Sequence, residues 1–275
     1  MPEHYRATGD AGPVPSLAIV TPCLNGRAYL AETMESVLGQ GYAKLSYVIQ
    51  DGRSRDGSLE LAQQIAAAHA GNKVEVVSAH DDGQADAINR GFARTASDLM
   101  AWLNADDVLL PGALDYVARY FMQHPEVDLV YGHRIVIDVE GSEIARWILP
   151  PHMKQAMGLA DFVPQETLFW RRRVWDKVGP LDNSFAFAFD WDFILRAQRA
   201  GFRFKRLPRF LGAFRVHELQ KTSAMSSIGF AEMTRIRRVH FGRDVTAKEI
   251  DKGLRHYRAM HVLLHRAYKL KLLQY

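Results

Sequence analysis

One cysteine, Cys23, stands in 275 residues, so the chain closes no internal disulfide and builds no multi-cysteine zinc site. That scarcity fits a reducing compartment, and a cytoplasmic location is expected. No uninterrupted apolar run approaches the about 20 residues of a membrane-spanning helix. The opening Met1-Pro2-Glu3-His4-Tyr5-Arg6 lacks the charged start, apolar stretch and small-residue cleavage site of a secretory leader. Also missing are the G-x-x-x-x-G-K-[ST] phosphate loop, a G-x-G-x-x-G after the first strand, the G-x-S-x-G elbow and H-E-x-x-H. Kinase, dinucleotide dehydrogenase, hydrolase and zincin readings all lose ground. His217-Glu218 begins like a zinc helix but has no second histidine in register. His261 and His265, one turn apart in a basic helix, read as surface residues.

What is present suits a folded enzyme. With 48% hydrophobic and 24% charged residues, a chain this long hides roughly 75% of its unfolded surface and needs no metal to fold. Its charge of +4 is unevenly spread. From Arg235 onward there are eleven Lys and Arg against three acids, a local charge of +8, which leaves −4 for the rest. Such a tail suits an anionic membrane surface, whereas a helix packed back on the protein or used in a homodimer explains the same residues. Nucleic acid is not among the expected partners.

The first half alternates strands and helices. Leu17-Ala18-Ile19-Val20, Tyr47-Val48-Ile49, Val74 to Val77 and Leu99 to Leu103 read as strands. Leu30, Met34, Val37 and Leu38, then Leu59, Leu61 and Ile65, then Ala85 to Ala96 mark helices between them, and another follows Pro111. This alternation predicts parallel strands joined by crossover helices, with ligands beyond the strands' carboxyl ends. After about residue 127 the pattern changes: Asp128 to Tyr131, Ile135 to Ile137 and Ile144 to Trp147 read as shorter strands, the last two joined by a Glu140-Gly141-Ser142 turn. A helix is expected from near Asp190 to Gly201, and two more over Ser226 to His240 and Thr246 to Leu273.

Carboxylates stand at the strand ends. Asp106-Asp107 follows an apolar strand, where adjacent negative charges repel unless a cation sits beside them. A hard divalent ion shared with substrate phosphates answers that need. A helix cap before Pro111 is the alternative, and Asp82 is expected to cap the helix after it.

Five ordered segments carry a resemblance: Val20-Thr21-Pro22-Cys23-Leu24-Asn25; Gln50 to Gly57; Asp82 to Gly91; Trp102-Leu103-Asn104-Ala105-Asp106-Asp107; and Phe189-Asp190-Trp191-Asp192. Together they resemble the inverting family 2 glycosyltransferases of GT-A fold, over residues 16 to about 222. The resemblance implies an α/β fold: a mostly parallel, Rossmann-like sheet flanked by helices, a small antiparallel acceptor-side region and C-terminal helices. The expected organisation is a flexible tail over 1–15 and a GT-A domain over 16–222, followed by a basic helical extension over 223–275. Within that domain, 16–110 binds the nucleotide sugar and 111–222 the acceptor.

The resemblance further implies a nucleoside-diphosphate sugar donor, UDP first with GDP and dTDP open, and a saccharide or lipid-linked acceptor. Thr21, Pro22 and Asn25 would shape the nucleoside pocket and Asp51 would bond the base, although all four residue types also favour turns. Gln84, Asp86 and Asn89 match residues that meet ribose, phosphate or sugar. Asn104-Ala105-Asp106 stands where relatives carry an Asp-x-Asp metal motif, so the first carboxylate is replaced by an amide. Mn²⁺ or Mg²⁺ would then fall to Asp106, with Asp107 second and His217 completing the site; Arg215 and Lys221 are able to meet phosphate.

Asp190 matches the catalytic aspartate, with Phe189 in place of the preceding glutamate, and Asp192 competes with it. The aromatic run Phe185, Phe187, Phe189 and Trp191 suits an acceptor pocket or plain core packing. Gln165 or Glu166 would face a sugar, while Arg171, Arg172 and Arg173 bind phosphate or open an exposed basic helix. Two rivals remain: a sugar-phosphate nucleotidyltransferase, and a non-catalytic sugar-nucleotide-binding partner protein.

Overall fold

The computed structural model describes residues 14–69, 71, 73–218 and 226–275. The expected tail over 1–15, save its last two residues, and Lys221 lie outside them. Strands β1 (Leu17–Cys23), β2 (Leu45–Asp51), β3 (Lys73–Ser78) and β4 (Leu99–Trp102) run parallel, linked by α1 (Arg27–Leu38), α2 (Ser58–Ala68) and α3 (Gln84–Phe92). Every residue of β1 and β2 is buried, as expected when helices cover both faces of a parallel sheet. Alternation along β1 sends Leu17 and Ile19 into a core with α1 and α2, and Val20 into a second core with Ile88 and Phe92 of α3.

The helix α3 sits unusually close to the sheet. A Cβ on Gly91 would lie 2.4 Å from a methyl of Val20, so only glycine fits there. Gly91→Ala is expected to cost about 1–3 kcal/mol, read as a lower urea midpoint. An unchanged midpoint would show that α3 shifts without penalty.

The second half adds β5 (Val108–Leu109), α4 (Ala113–Gln123), β6 (Leu129–Ile137), β7 (Glu143–Trp147), α5 (Lys154–Met157), a 3₁₀ turn at Gln165–Thr167 and β8 (Phe169–Arg171). Then come α6 (Arg172–Val178), α7 (Phe189–Arg199), β9 (Phe204–Arg215), α8 (Ser226–Phe241) and α9 (Ala247–Lys269). One nine-stranded sheet results, ordered β3-β2-β1-β4-β8-β6-β9-β5, with β7 paired to β6. It is parallel from β3 to β4, while β8 joins its neighbours antiparallel. Among the described residues no helix is long and apolar enough to cross a membrane.

Several expectations need correction. The two short strands around residue 132 are one strand, β6. The polar pair His133-Arg134 hides this in the sequence, yet His133 is buried and accepts the Leu149 N–H at 3.0 Å. Strand β9 was not expected, because its basic residues and Pro208 mask it; Pro208 lies where the β6–β9 register shifts, a place a strand tolerates proline. The third helix ends at Phe92, short of Ala96. Its cap is Gly83, not Asp82, and α4 is capped by Gly112, so neither Asp106 nor Asp107 caps a helix. The three arginines are structural: Arg171 bonds the carbonyls of Phe121, His124 and Val127, Arg172 those of Thr95 and Ser97, and Arg173 pairs with Asp128.

Candidate active site

The ends of β1 and β2 are laced into one rim. The buried Asp51 carboxylate accepts the backbone N–H groups of Arg53 and Ser54 and the Ser78 hydroxyl, the last at 2.6 Å. Asn25, held at φ 52°, accepts from the Arg55 N–H at 2.9 Å and donates its own N–H to Ser54. Asn tolerates this left-handed conformation better than most residues. Thr21 lies fully beneath the surface, its hydroxyl 2.9 Å from that of Tyr47, and Pro22 pairs with Gln50 inside the sheet. Thr21 and Pro22 are thus paired residues of β1 and Asp51 the last of β2, while Asn25, just past β1, is the member of the group left exposed.

Beyond β4 the chain turns through Asn104, Ala105, Asp106 and Asp107. The Gln84 side-chain amide donates to Asn104 Oδ1 at 2.7 Å, tying the start of α3 to this turn. Asp106 extends a carboxylate oxygen to within 2.9 Å of His217 Nε2, just past the end of β9. Asp107 lies deeper: one oxygen takes the Arg215 N–H, the other the Asn104 amide. Burial first, and then the Asp106 charge, pushes its carboxyl well above the ordinary range. Arg215 is itself buried and spent on Glu32 and on the carbonyls of Asp106 and Asp138, so it does not reach out to phosphate.

Among the described residues no three His, Cys, Asp or Glu side chains converge as a metal cage. The Asp106–His217 pair fits a divalent ion that draws its remaining ligands from a diphosphate and water, the habit of Mg²⁺ and Mn²⁺.

Next to this turn lies a cleft of about 630 Å³ whose lining includes Gln84, Asn104 and Asp107, residues of β6 and β7, and Asp190, Phe187 and Met233. Asp190 sits in the first turn of α7 and accepts the Trp191 N–H at 2.8 Å. Its surroundings of Phe189, Trp191 and Phe187 desolvate it, and burial pushes its carboxyl up to about 6 against the favourable Trp191 bond. Asp192 faces elsewhere, paired with Arg196 at 2.7 Å. The segment before Asp190 is clamped from outside the sheet: Glu232 of α8 accepts the N–H groups of Ala186, Phe187 and Ala188 at 2.7, 2.9 and 2.8 Å.

Arg134 is the cation lining the cleft. Its guanidinium grips the buried Glu166 carboxylate at both oxygens and lies 4.4 Å from the Phe214 ring centre and 5.2 Å from that of Trp147. Asp161 also lines the cleft, crowded by protein although its surface is exposed. Burial, and then the charge of Asp190, raises its carboxyl well above the ordinary range.

The family profile described as Glycosyl transferase family 2 matches residues 18–178. The chain belongs to glycosyltransferase family 2. Over 188 residues this family 2 chain is 31% identical to the O-antigen biosynthesis protein RfbC of Myxococcus xanthus, covering 68% of the chain and 15% of that protein. It is 30% identical over 183 residues to a PGL/p-HBAD biosynthesis glycosyltransferase of Mycobacterium bovis, covering 66% of the chain and 69% of the relative. S. aureus TarS residues 1–349, solved with UDP-GlcNAc, superposes with TM-score 0.67 at 16% identity, over 93% of this chain and 76% of that one. The Pyrobaculum calidifontis mannosyltransferase PcManGT, solved with GDP-Man and Mn²⁺, gives 0.66 at 17%, over 94% and 72%. At such identity these likenesses establish the fold, the GT-A arrangement expected from the sequence.

Of the residues singled out in this family 2 chain, the structure gathers Gln84, Asn104, Asp107 and Asp190 around one cleft, together with Gln165 and Glu166. Asp106, next in the chain to Asp107, adjoins it, and His217 meets Asp106 from beyond the end of β9. Asp86 and Asn89 point instead toward the segment before α7: Asp86 pairs with Arg90 and Asn183, and Asn89 exchanges bonds with both backbone groups of Leu181. Phe187, Phe189 and Trp191 line the cleft, whereas Phe185 is core. Arg134, Asp161 and Glu232 were missed. A lone charge between apolar residues announces nothing; Arg134 comes to the cleft on β6, Asp161 on the segment before the 3₁₀ turn, and Glu232 to the segment before Asp190 on α8.

Proposed function

We propose that the protein transfers a glycosyl group from a nucleoside-diphosphate sugar to an acceptor hydroxyl with inversion, in the assembly of a polysaccharide, O-antigen or glycolipid. The observation that carries this is the cleft that Asp190, its carboxyl raised to about 6, lines together with Gln84, Asn104 and Asp107, while Asp106, next to Asp107, meets His217. Relatives named for O-antigen and PGL biosynthesis and neighbours solved with UDP-GlcNAc and GDP-Man support the same reading. Residues 16–110 take the donor and 111–222 the acceptor, whether saccharide or lipid-linked, in a cytoplasmic enzyme with UDP the first donor to try.

In this mechanism Asn25 and the Asp51-braced rim hold the nucleoside, while Gln84, Asn104 and Ala105 meet the ribose and donor sugar. Asp190 accepts the proton of the acceptor hydroxyl as that oxygen attacks the anomeric carbon, and the bond from carbon to the diphosphate oxygen breaks. Attack from the face opposite the leaving group inverts the configuration in one step. Asp106 and His217 would hold Mn²⁺ or Mg²⁺, which neutralises charge on the departing diphosphate when bound. A retained and poised Asp190 favours this over a non-catalytic partner, and Thr21 to Asn25 lack the basic glycine-rich loop a nucleotidyltransferase wants.

Thermal unfolding with UDP, GDP and dTDP, each with and without Mn²⁺, tests the donor assignment. One nucleotide at a hundred times its Kd should stabilise the fold by about 2.7 kcal/mol, and only with metal present, because without a cation the diphosphate would meet the Asp106 carboxylate uncompensated. Turnover should vanish in EDTA and return with Mn²⁺. No stabilisation by any nucleotide would refute the donor reading; full turnover in EDTA would refute the metal.

A further inference from the structure

Between Lys252 and Tyr275 the chain carries six Lys and Arg and no acid. One side of α9, which spans most of this stretch, is packed: Leu254 is buried, Tyr257 stacks on Phe162 at 4.2 Å, and Tyr268 meets Phe210 at 5.8 Å. The other side is bare and partly apolar. Leu263 is 66% exposed, and Leu270 and Leu272, just past the helix end, 70% and 73%. Helical spacing sets Leu263 one turn from Arg266 and two turns from Leu270, so these share one face, and the exposed Lys271 and Leu272 follow directly beyond the helix end. Arg266, Lys269 and Lys271 make no ion pair among the described residues, unlike Arg255 and Arg258, which share Asp251.

We infer that this face docks on an anionic phospholipid bilayer, with Leu263, Leu270 and Leu272 entering the headgroup region and Arg266, Lys269 and Lys271 meeting lipid phosphates. Charge complementarity selects this occupant. A second copy packed through the same face would set these cations against their own images, and a nucleic acid offers phosphates but no apolar phase for three leucines. The helix also backs the cleft wall, because Tyr257 stacks on Phe162, a lining residue, and neighbouring α8 contributes Met233. Lipid contact therefore holds the cleft near the bilayer, and the docking does not depend on the transfer reaction proposed above.

Flotation of the full chain with vesicles of phosphatidylcholine containing about one third phosphatidylglycerol tests it, against pure phosphatidylcholine and against 1 M salt. The chain should float with the anionic vesicles, fall off in high salt and ignore the neutral ones. The combined variant Leu263→Ser, Leu270→Ser and Leu272→Ser, and separately Arg266→Gln, Lys269→Gln and Lys271→Gln, should each lose at least tenfold in bound fraction with unchanged melting temperature. Equal flotation of wild type and both variants, or none by the wild type, would overturn the proposal. So would gel filtration showing a wild-type dimer that either variant turns into a monomer, which would assign the face to a second copy.

Discussion

Asp190→Asn is expected to lower turnover by about 10²- to 10⁴-fold, the usual contribution of a general base, while leaving nucleotide affinity nearly unchanged. The amide keeps the shape and still accepts the Trp191 N–H, but it cannot take the acceptor proton. The pH dependence follows from the raised carboxyl. Catalysis needs the ionised form, so turnover should be level above pH 7 and fall through about 6 as the group protonates. Stability moves the opposite way. A carboxyl raised in the folded state weakens folding wherever it is ionised, fully above the folded value and not at all below the unfolded one of 3.8. The Asn variant should therefore melt higher than wild type at pH 8, with the gain fading between pH 6 and pH 4. Asp192→Asn, which only loses the bond to Arg196, should keep most of its turnover. If Asp192 proved the more damaging site, or if the stability gain were independent of pH, the base would lie elsewhere.

The parallel half of the fold was legible because its signals are local. Leu17 to Val20 and Leu99 to Leu103 are apolar without interruption, as strands covered on both faces must be, and Leu30, Met34, Val37 and Leu38 recur at helical spacing and are all buried. The acceptor side was less legible because its contacts are distant in sequence. Phe204–Arg215 becomes a strand by pairing with β6 and β5, both distant in sequence, and the β5 pairing, not local pattern, sets Arg215 beside Asp107. The site divides likewise. Asp190 and Asp106 stood out through an ordered set of segments and His217 through the resemblance they carry, whereas Glu232, one charge on a basic helix, has no local signal and owes its place to the three backbone N–H groups it accepts. Asp51 and Asn89 illustrate the converse, since their polar groups are largely engaged by neighbouring backbone.

Arg134→Met is expected to destabilise the protein by about 3–5 kcal/mol, because it strands a carboxylate that the fold has buried. Glu166 has a side chain 0% exposed, and its carboxylate takes two donors from Arg134. Water cannot replace them without opening the β6–β9 wall. Removing both charges together should be far milder, since the double variant Arg134→Met with Glu166→Met leaves no orphan and keeps apolar volume against Phe214. A urea titration of the two single variants and the double closes the cycle. The guanidinium also lowers the carboxyls of Asp190 and Asp161 through its charge. Losing it makes ionised Asp190 harder to form, so in whatever Arg134→Met protein remains folded, the acid limb of turnover should move to a pH above 6. Arg134→Lys, which keeps the charge but not the two-pronged grip, should hold the limb in place while giving up part of the stability. An Arg134→Met variant with wild-type stability, or an unmoved acid limb, would show that the pair neither anchors the wall nor tunes the base.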